Sequence, residues 1–123
     1  MKIRSHEDLE VFQLALEAAM EIFEISQRFP KEEKYSLTDQ IRRSSRSVCS
    51  NISEGFRKRR YPKPFVAKLI DSEGEAAETM TWLKFACACK YISIEVKDRK
   101  SEKYDCILGK LVNMGRNPQQ WQY

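Results

Sequence analysis

The stretch SLTDQIRRSSRSVCSNISEGFRKRR, residues 36–60, decides the reading of this chain. A helix written there has three chemically different faces. At 100° per residue, Leu37, Ile41, Val48 and Ile52 fall within about 60° of one another. Arg42, Arg46, Arg57 and Arg60 share a sector roughly 100–180° away, with Ser50 and Ser53 beside them. Gln40, Ser47, Asn51 and Glu54 fill a third sector, polar and mostly uncharged. Such a helix buries one side, makes a polar contact on the second and offers cations on the third. It describes a surface for binding; no reacting group stands out in it.

Charge is segregated along the chain. Residues 36–60 carry seven Lys or Arg (Arg42, Arg43, Arg46, Arg57, Lys58, Arg59, Arg60) against Asp39 and Glu54. The whole chain has a formal net charge of only +4, so the local field is stronger than the total implies. Residues 7–27 carry Glu7, Asp8, Glu10, Glu17, Glu21 and Glu24 and no Lys or Arg. Two readings follow: the basic face binds phosphates, or it meets the acidic helix of its own or a neighbouring subunit.

Outward from this stretch, apolar periodicity predicts three more helices. Over residues 7–28, Leu9, Phe12, Leu16, Ala19, Phe23 and Ser26 form one seam, and Val11, Ala15, Ala18, Ile22, Ile25 and Phe29 a second beside it. Two seams can contact two neighbours. Phe29-Pro30 stops this helix, and Ser36 with Asp39 reads as a capping box for the next, over 36–60. Gly55 either ends that helix or permits close approach on its apolar side; continuation to about Arg60 fits the three-face pattern better. After Tyr61-Pro62-Lys63-Pro64, a third helix over 64–91 carries Phe65, Leu69, Ser72, Ala76, Met80, Leu83 and Cys87 inward. Trp82 lies on another side, where it serves either the core or a subunit interface. The fourth helix, over 101–114, turns Tyr104, Ile107, Leu108, Leu111 and Met114 inward and is capped at Gly115. Residues 116–123 read as a flexible tail with Trp121 and Tyr123 available to dock.

Short connections between such helices predict an all-α, antiparallel up-down-up-down four-helix bundle, with residues 1–123 as one domain. No alternating strand pattern competes. No run approaches the ~18 apolar residues of a membrane span, and an acid-studded helix stands where an export signal needs an apolar core. A cytoplasmic protein with no membrane association is expected.

Catalytic and metal chemistry find little footing. Cys49, Cys87, Cys89 and Cys106 lack paired zinc spacing, and read as buried or half-buried small apolar residues. His6, the one histidine, has no second ligand at helical spacing. No phosphate-cradling glycine loop and no nucleophile–base pair is present. The expectation is a protein that is no enzyme and takes no metal or cofactor. For Gln40, Ser47, Asn51, Glu54 and Trp82 the sequence favours an interface between helices or subunits, because an RNA-reading face needs exposed aromatic rings that the polar sector lacks.

The residues from Phe29 onward resemble a known family. Phe29, Pro30 and Glu33 lead into Leu37, Gln40 and Arg42-Arg43, followed by Ser47 and then Asn51, Ile52, Glu54 and Gly55. Phe65, Leu69, Glu78 and Trp82-Leu83 continue the likeness, which spans roughly residues 9–112. The pattern is similar to that of bacterial four-helix-bundle proteins encoded by intervening sequences in large-subunit ribosomal RNA genes. Those are related to the accessory variability proteins of diversity-generating retroelements. The resemblance implies a homopentameric barrel and a nucleic-acid-binding role, RNA favoured over DNA. The retroelement relatives also imply a reverse transcriptase as partner. By this reading Arg42, Arg43, Arg46, Arg57, Lys58, Arg59 and Arg60 contact nucleic acid. The alternative is a protein-interaction scaffold ring with no nucleic-acid role.

Overall fold

Apolar side chains at helical spacing collapse into one core, and the computed structural model describes residues 3–123 around it. Met1 and Lys2 lie outside the described residues. The long helices are α1 (Glu10–Ser26), α2 (Leu37–Arg57), α3 (Pro62–Ala88) and α4 (Ile94–Arg116). Short 3-10 turns occupy His6–Asp8, Lys31–Glu33 and Pro118–Trp121, and there is no strand among the described residues. Each helix packs against its chain neighbours and α4 returns to α1, so the chain forms the antiparallel four-helix bundle expected.

The core lies where the seams meet. Ile22, Ile41, Val48, Ile52, Phe65, Leu69, Leu83, Tyr104, Ile107 and Leu111 are fully buried. Burial of such a side chain contributes about 1.5–3 kcal/mol. On α1 the inward seam is Val11, Ala15, Ala18 and Ile22, while Phe12 and Phe23 are half-buried and Leu16 is exposed. On α3 the stripe drifts around the helix, so Thr79 and Ala86 occupy core positions and Met80 and Cys87 are only half-buried.

Small residues set the spacing between α2 and α3. Ser44 and Thr79 share a buried hydrogen bond of 2.7 Å, and Ser72 Oγ donates to the Val48 carbonyl at 2.8 Å. Gly55 lies within α2 and is buried. A Cβ there would stand 3.1 Å from Lys68 Cβ and 3.6 Å from the Phe65 carbonyl oxygen. Its role is close approach, not termination. As residue numbers climb α2 they fall along α3, and these contacts hold the antiparallel register.

Opposite charges hold α1 to α4. Glu10 pairs with Lys110, Glu17 with Lys103, and Glu21 with both Lys100 and Lys103. Partial burial pushes the Glu21 carboxyl up, but hydrogen bonds from Lys100 and Lys103 outweigh it and the net displacement is downward. A depressed carboxylate stabilises the fold above its ordinary pKa of 4.5 and loses that contribution as pH falls through the lower folded-state value. The melting-temperature gap between wild type and Glu21→Gln should therefore narrow as pH falls from about 6 to 3. A gap that holds constant across this range would remove the pairing from the stability of the fold.

The helix ends differ from the sequence expectation, each for a local reason. The first helix begins as a 3-10 turn capped by Ser5 and Asp8, so its α-helical part starts at Glu10 and ends at Ser26. The Ser36–Asp39 capping box does not form. Ser36 turns back to Glu33, whose carboxylate accepts from Ser36 Oγ at 2.6 Å, Leu37 N at 3.2 Å and Tyr91 Oη at 2.9 Å. Those three donors hold the Glu33 carboxyl below the ordinary glutamate value, and they tie the α1–α2 and α3–α4 connections together. α2 ends at Arg57, not Arg60. Tyr61 must be extended before Pro62, which leaves Lys58–Arg60 to make the turn.

α3 starts at Pro62 because both prolines fit its first turn, where no N–H partner is lost. It stops at Ala88 rather than 91. Lys90 adopts φ 65°, a left-handed cap in which the Tyr91 N–H reaches the Ala86 carbonyl at 2.9 Å. α4 begins at Ile94, seven residues before the expected start, because Ser93 Oγ accepts the Val96 N–H at 3.1 Å. Gly115 stays inside that helix, which runs to Arg116. The tail is not free. Trp121 is half-buried against the core, and Gln122 Nε2 donates to the Arg60 carbonyl at 3.0 Å. Among the cysteines, Cys49 and Cys87 are half-buried as expected, but Cys89 and Cys106 are exposed. Burial pushes the Cys49 thiol up to about 11, which leaves it a small apolar residue.

Candidate nucleic-acid interface

The outward face of α2 meets α1 at its edge, and that edge orders the first arginine. Arg42 Nε donates to Ser26 Oγ at 2.8 Å while its guanidinium covers the Phe23 ring at 4.7 Å. Arg46 follows one turn later, 6.0 Å from the same ring, with its side chain exposed. The aromatic face and the hydroxyl fix Arg42 while its terminal nitrogens remain for a ligand. Arg57 and Lys58 are exposed at the far end of the helix. Arg42, Arg46, Arg57 and Lys58 form no ion pair among the described residues.

A shallow groove of about 610 Å³ runs past the first two arginines. Lys34, Tyr35, Arg42 and Arg46 line it together with Asp39, Ser47 and Ser50, and Arg43 borders it from the same helix. Lys34 and Tyr35 were not legible as site residues from periodicity, because they precede the helix. The signal available was a cation and an aromatic ring immediately before the helix start.

The remaining basic residues separate into two groups. Arg43 turns away from Arg42 and Arg46 to the α3 side, where it meets Glu75 at 3.3 Å and also Glu78. Its charge is matched within the subunit, so the cationic set loses one member. The hydrogen bonds it donates to those carboxylates push the Arg43 pKa still higher. Glu75 is pushed up by burial and by the adjoining Glu78, against the pull of Arg43. Arg59 lies over Phe56 at 3.8 Å and over Tyr123 at 4.3 Å, and its Nη1 donates to the Phe56 carbonyl. Arg60 covers the same Tyr123 ring at 5.2 Å. The tail therefore packs on the Arg59–Arg60 end, a contact invisible to helical periodicity.

The α1 carboxylates do not pair with the basic face among the described residues. Glu10, Glu17 and Glu21 of α1 reach the lysines of α4, so pairing of α1 carboxylates with α2 arginines is not made within the subunit.

The polar sector lies along the α2–α3 seam. Lys68 of α3 pairs with Glu54 at 2.8 Å and reaches Asn51 Oδ1 at 3.4 Å. Asn51 Nδ2 donates back to the Ser47 carbonyl at 2.9 Å, and Gln40 Oε1 accepts from Arg43 at 3.4 Å. The Lys68 ammonium draws the Glu54 carboxyl down from its ordinary value. Glu54 and Asn51 thus reach across to α3, while Gln40 and Ser47 bond within α2.

Trp82 is half-buried beside Phe85, with ring centroids 5.8 Å apart. Its Nε1 is buried without a hydrogen-bond partner among the described residues. The two rings border an apolar groove of about 370 Å³ that also touches Gln40 and Cys89. No group of three or more His, Cys, Asp or Glu stands close enough to hold a metal ion among the described residues. Among the described residues, no helix is long and apolar enough to cross a membrane.

Comparison with known proteins places this geometry. No curated protein matches the chain significantly. Among solved structures, the chain is similar to a protein of unknown function from the S23 ribosomal protein family of Bacteroides thetaiotaomicron. The two share 27% identity and a TM-score of 0.78, over 86% of this chain and 95% of the other. A family model described as 23S rRNA-intervening sequence protein matches residues 7–113. With the bundle, the α2 signature and nearly the whole length in agreement, the chain belongs to the 23S rRNA-intervening sequence protein family.

Proposed function

We propose that this protein is a homo-oligomeric, pentameric nucleic-acid-binding protein of the cytoplasm, with RNA favoured over DNA and no catalytic role. The observation that carries the reading is the distribution of charge partners. Glu10, Glu17 and Glu21 of α1 are matched by α4 lysines, while Arg46 and Arg57 stand exposed on α2 with no ion pair among the described residues, and Lys58 is exposed just past the helix end. Exposed cations aligned on one helix suit a phosphate backbone. The family's link to ribosomal RNA genes supports RNA, and the retroelement resemblance extends the reading to a reverse transcriptase as co-partner.

Oligomerisation is supported by large apolar side chains that the subunit leaves in water. Leu16 and Met20 on α1 are 48% and 54% exposed, and Phe85 on α3 is 54% exposed. They lie on different helices, as a ring-forming interface between unlike patches requires. Repetition of a weak basic face around a ring raises affinity through multivalency. The apolar groove beside Trp82 and Phe85 gives the scaffold alternative its one specific support.

Affinity for RNA should fall steeply with salt, each phosphate contact adding about −0.7 to −0.9 to the slope of log affinity against log salt. Arg46→Gln with Arg57→Gln should flatten that slope by about one to two units per engaged subunit, with mass and melting temperature retained. Arg42 is a poorer test, because its substitution also removes the contacts to Ser26 and Phe23. Anisotropy titrations at two salt concentrations, with light scattering on the same samples, measure both parts. A mass near 14.5 kDa would overturn the oligomer. Absence of binding to any RNA or DNA at low salt would leave the scaffold reading.

A further inference from the structure

The groove beside Arg42 and Arg46 has an aromatic wall that the fold does not use. Tyr35 is 84% exposed, in the turn immediately before α2. One neighbour approaches its ring face: Lys34 Nζ, at 5.3 Å from the centroid. A tyrosine ring so exposed adds almost nothing to the core, yet it lines a groove together with four cations, Lys34, Arg42, Arg46 and the carboxylate-paired Arg43.

We propose that this groove takes single-stranded RNA, with a base stacked on Tyr35 and the adjoining phosphates held by Lys34, Arg42 and Arg46. The proposal rests on the nucleic-acid reading above and specifies the form of nucleic acid. A duplex hides its base faces within the stack and presents a cylinder of phosphates, so an exposed ring lining the groove finds no face to cover. A single strand offers free base faces, and stacking on an aromatic ring combined with a cationic track is the usual way such strands are held.

Asp39 orients the strand. Its carboxylate lines the groove and repels a phosphate placed beside it, which favours the backbone nearer Arg42 and Arg46. Arg42 and Arg46 follow Asp39 by about 4.5 and 10 Å along the helix axis, at 1.5 Å per residue. The base is left toward Tyr35. Ser47 and Ser50 use their hydroxyl or carbonyl groups within α2, as Ser50 Oγ donates to the Ser47 carbonyl at 3.3 Å. They form a polar floor and do not carry the recognition.

The test uses a fluorescein-labelled adenylate RNA of about twelve nucleotides, alone and annealed to its complement. Full-length wild type, Tyr35→Ala and Tyr35→Phe are titrated at two salt concentrations, with circular dichroism confirming the fold. Wild type should prefer the single strand. Tyr35→Ala should lower single-strand affinity about 5- to 150-fold, the range expected from loss of one stacked base. Duplex affinity and the salt slope should stay unchanged, and Tyr35→Phe should bind like wild type. Preference for the duplex, no effect of Tyr35→Ala, or an equal loss on both forms would overturn stacking on Tyr35 and leave the phosphate-binding reading standing. Failure of wild type to bind either form at low salt would overturn both.

Discussion

Replacing Ser72 with leucine is expected to destabilise the fold by about 2–4 kcal/mol, a large share of a typical 5–15 kcal/mol total. Ser72 is fully buried where α2 and α3 cross, and its hydroxyl donates to the Val48 carbonyl at 2.8 Å. Leucine removes that bond and forces extra volume into a seam kept narrow by Ser44, Gly55 and Ala76. α2 would be pushed away from α3 along its whole length, loosening the Ser44–Thr79 contact as well. Ser72→Ala keeps the spacing and loses only the hydrogen bond, for about 1 kcal/mol. Urea denaturation followed by circular dichroism separates the two. If leucine costs no more than alanine, the close approach of α2 and α3 is not set by residue size at this position.

Tyr104→Phe should act in the opposite direction and raise stability by about 1–3 kcal/mol, the range for desolvating a polar group that has no partner. The Tyr104 ring is almost completely buried on α4, and its hydroxyl is enclosed without a hydrogen-bond partner among the described residues. Burial pushes its pKa far up, reinforced by the nearby Cys49 and Glu21, so the phenol stays protonated throughout the usable range. Phenylalanine keeps the ring packing and removes only the orphaned oxygen. The same denaturation experiment reads the sign. A loss of stability would mean that the hydroxyl is bonded in solution.

Glu21, a neighbour of the Tyr104 hydroxyl, also carries the α1–α4 clasp. Its low pKa and the raised value of the phenol both follow from a helix interface that is partly dry yet crossed by lysines. The bundle therefore has two unlike seams. α2 and α3 meet through small hydroxyl-bearing residues, and α1 and α4 meet through charge. Acid weakens the second first.

The inward faces were legible from spacing alone. Ile41, Val48 and Ile52 on α2, Phe65, Leu69 and Leu83 on α3, and Ile107 and Leu111 on α4 all sit in the core as periodicity predicts. The shared sector of Arg42, Arg46 and Arg57 was legible for the same reason, whereas Arg60, assigned to that sector by azimuth, lies past the helix end. A residue's azimuth on a helix depends only on its place in the chain, so sequence determines which side chains share a face. It determined the fold class and the family signature with it.

The identity of each charge's partner needed the tertiary structure. Arg42 and Arg43 are adjacent in sequence, yet one rests on Phe23 and Ser26 while the other pairs with Glu75 and Glu78, residues 32 and 35 positions away. The α1 acids could have met α2 or α4, and packing brought them to Lys100, Lys103 and Lys110. Helix ends depended equally on distant partners: the start of α2 on the Glu33 carboxylate held by Tyr91, and the turn after α2 on Gln122, which donates to the Arg60 carbonyl, and on the Tyr123 ring beneath Arg59. Periodicity is a local property of the chain. Ion pairing, capping by loops and the exposure of Tyr35 are decided by which segments the packed core brings within a few ångströms of one another.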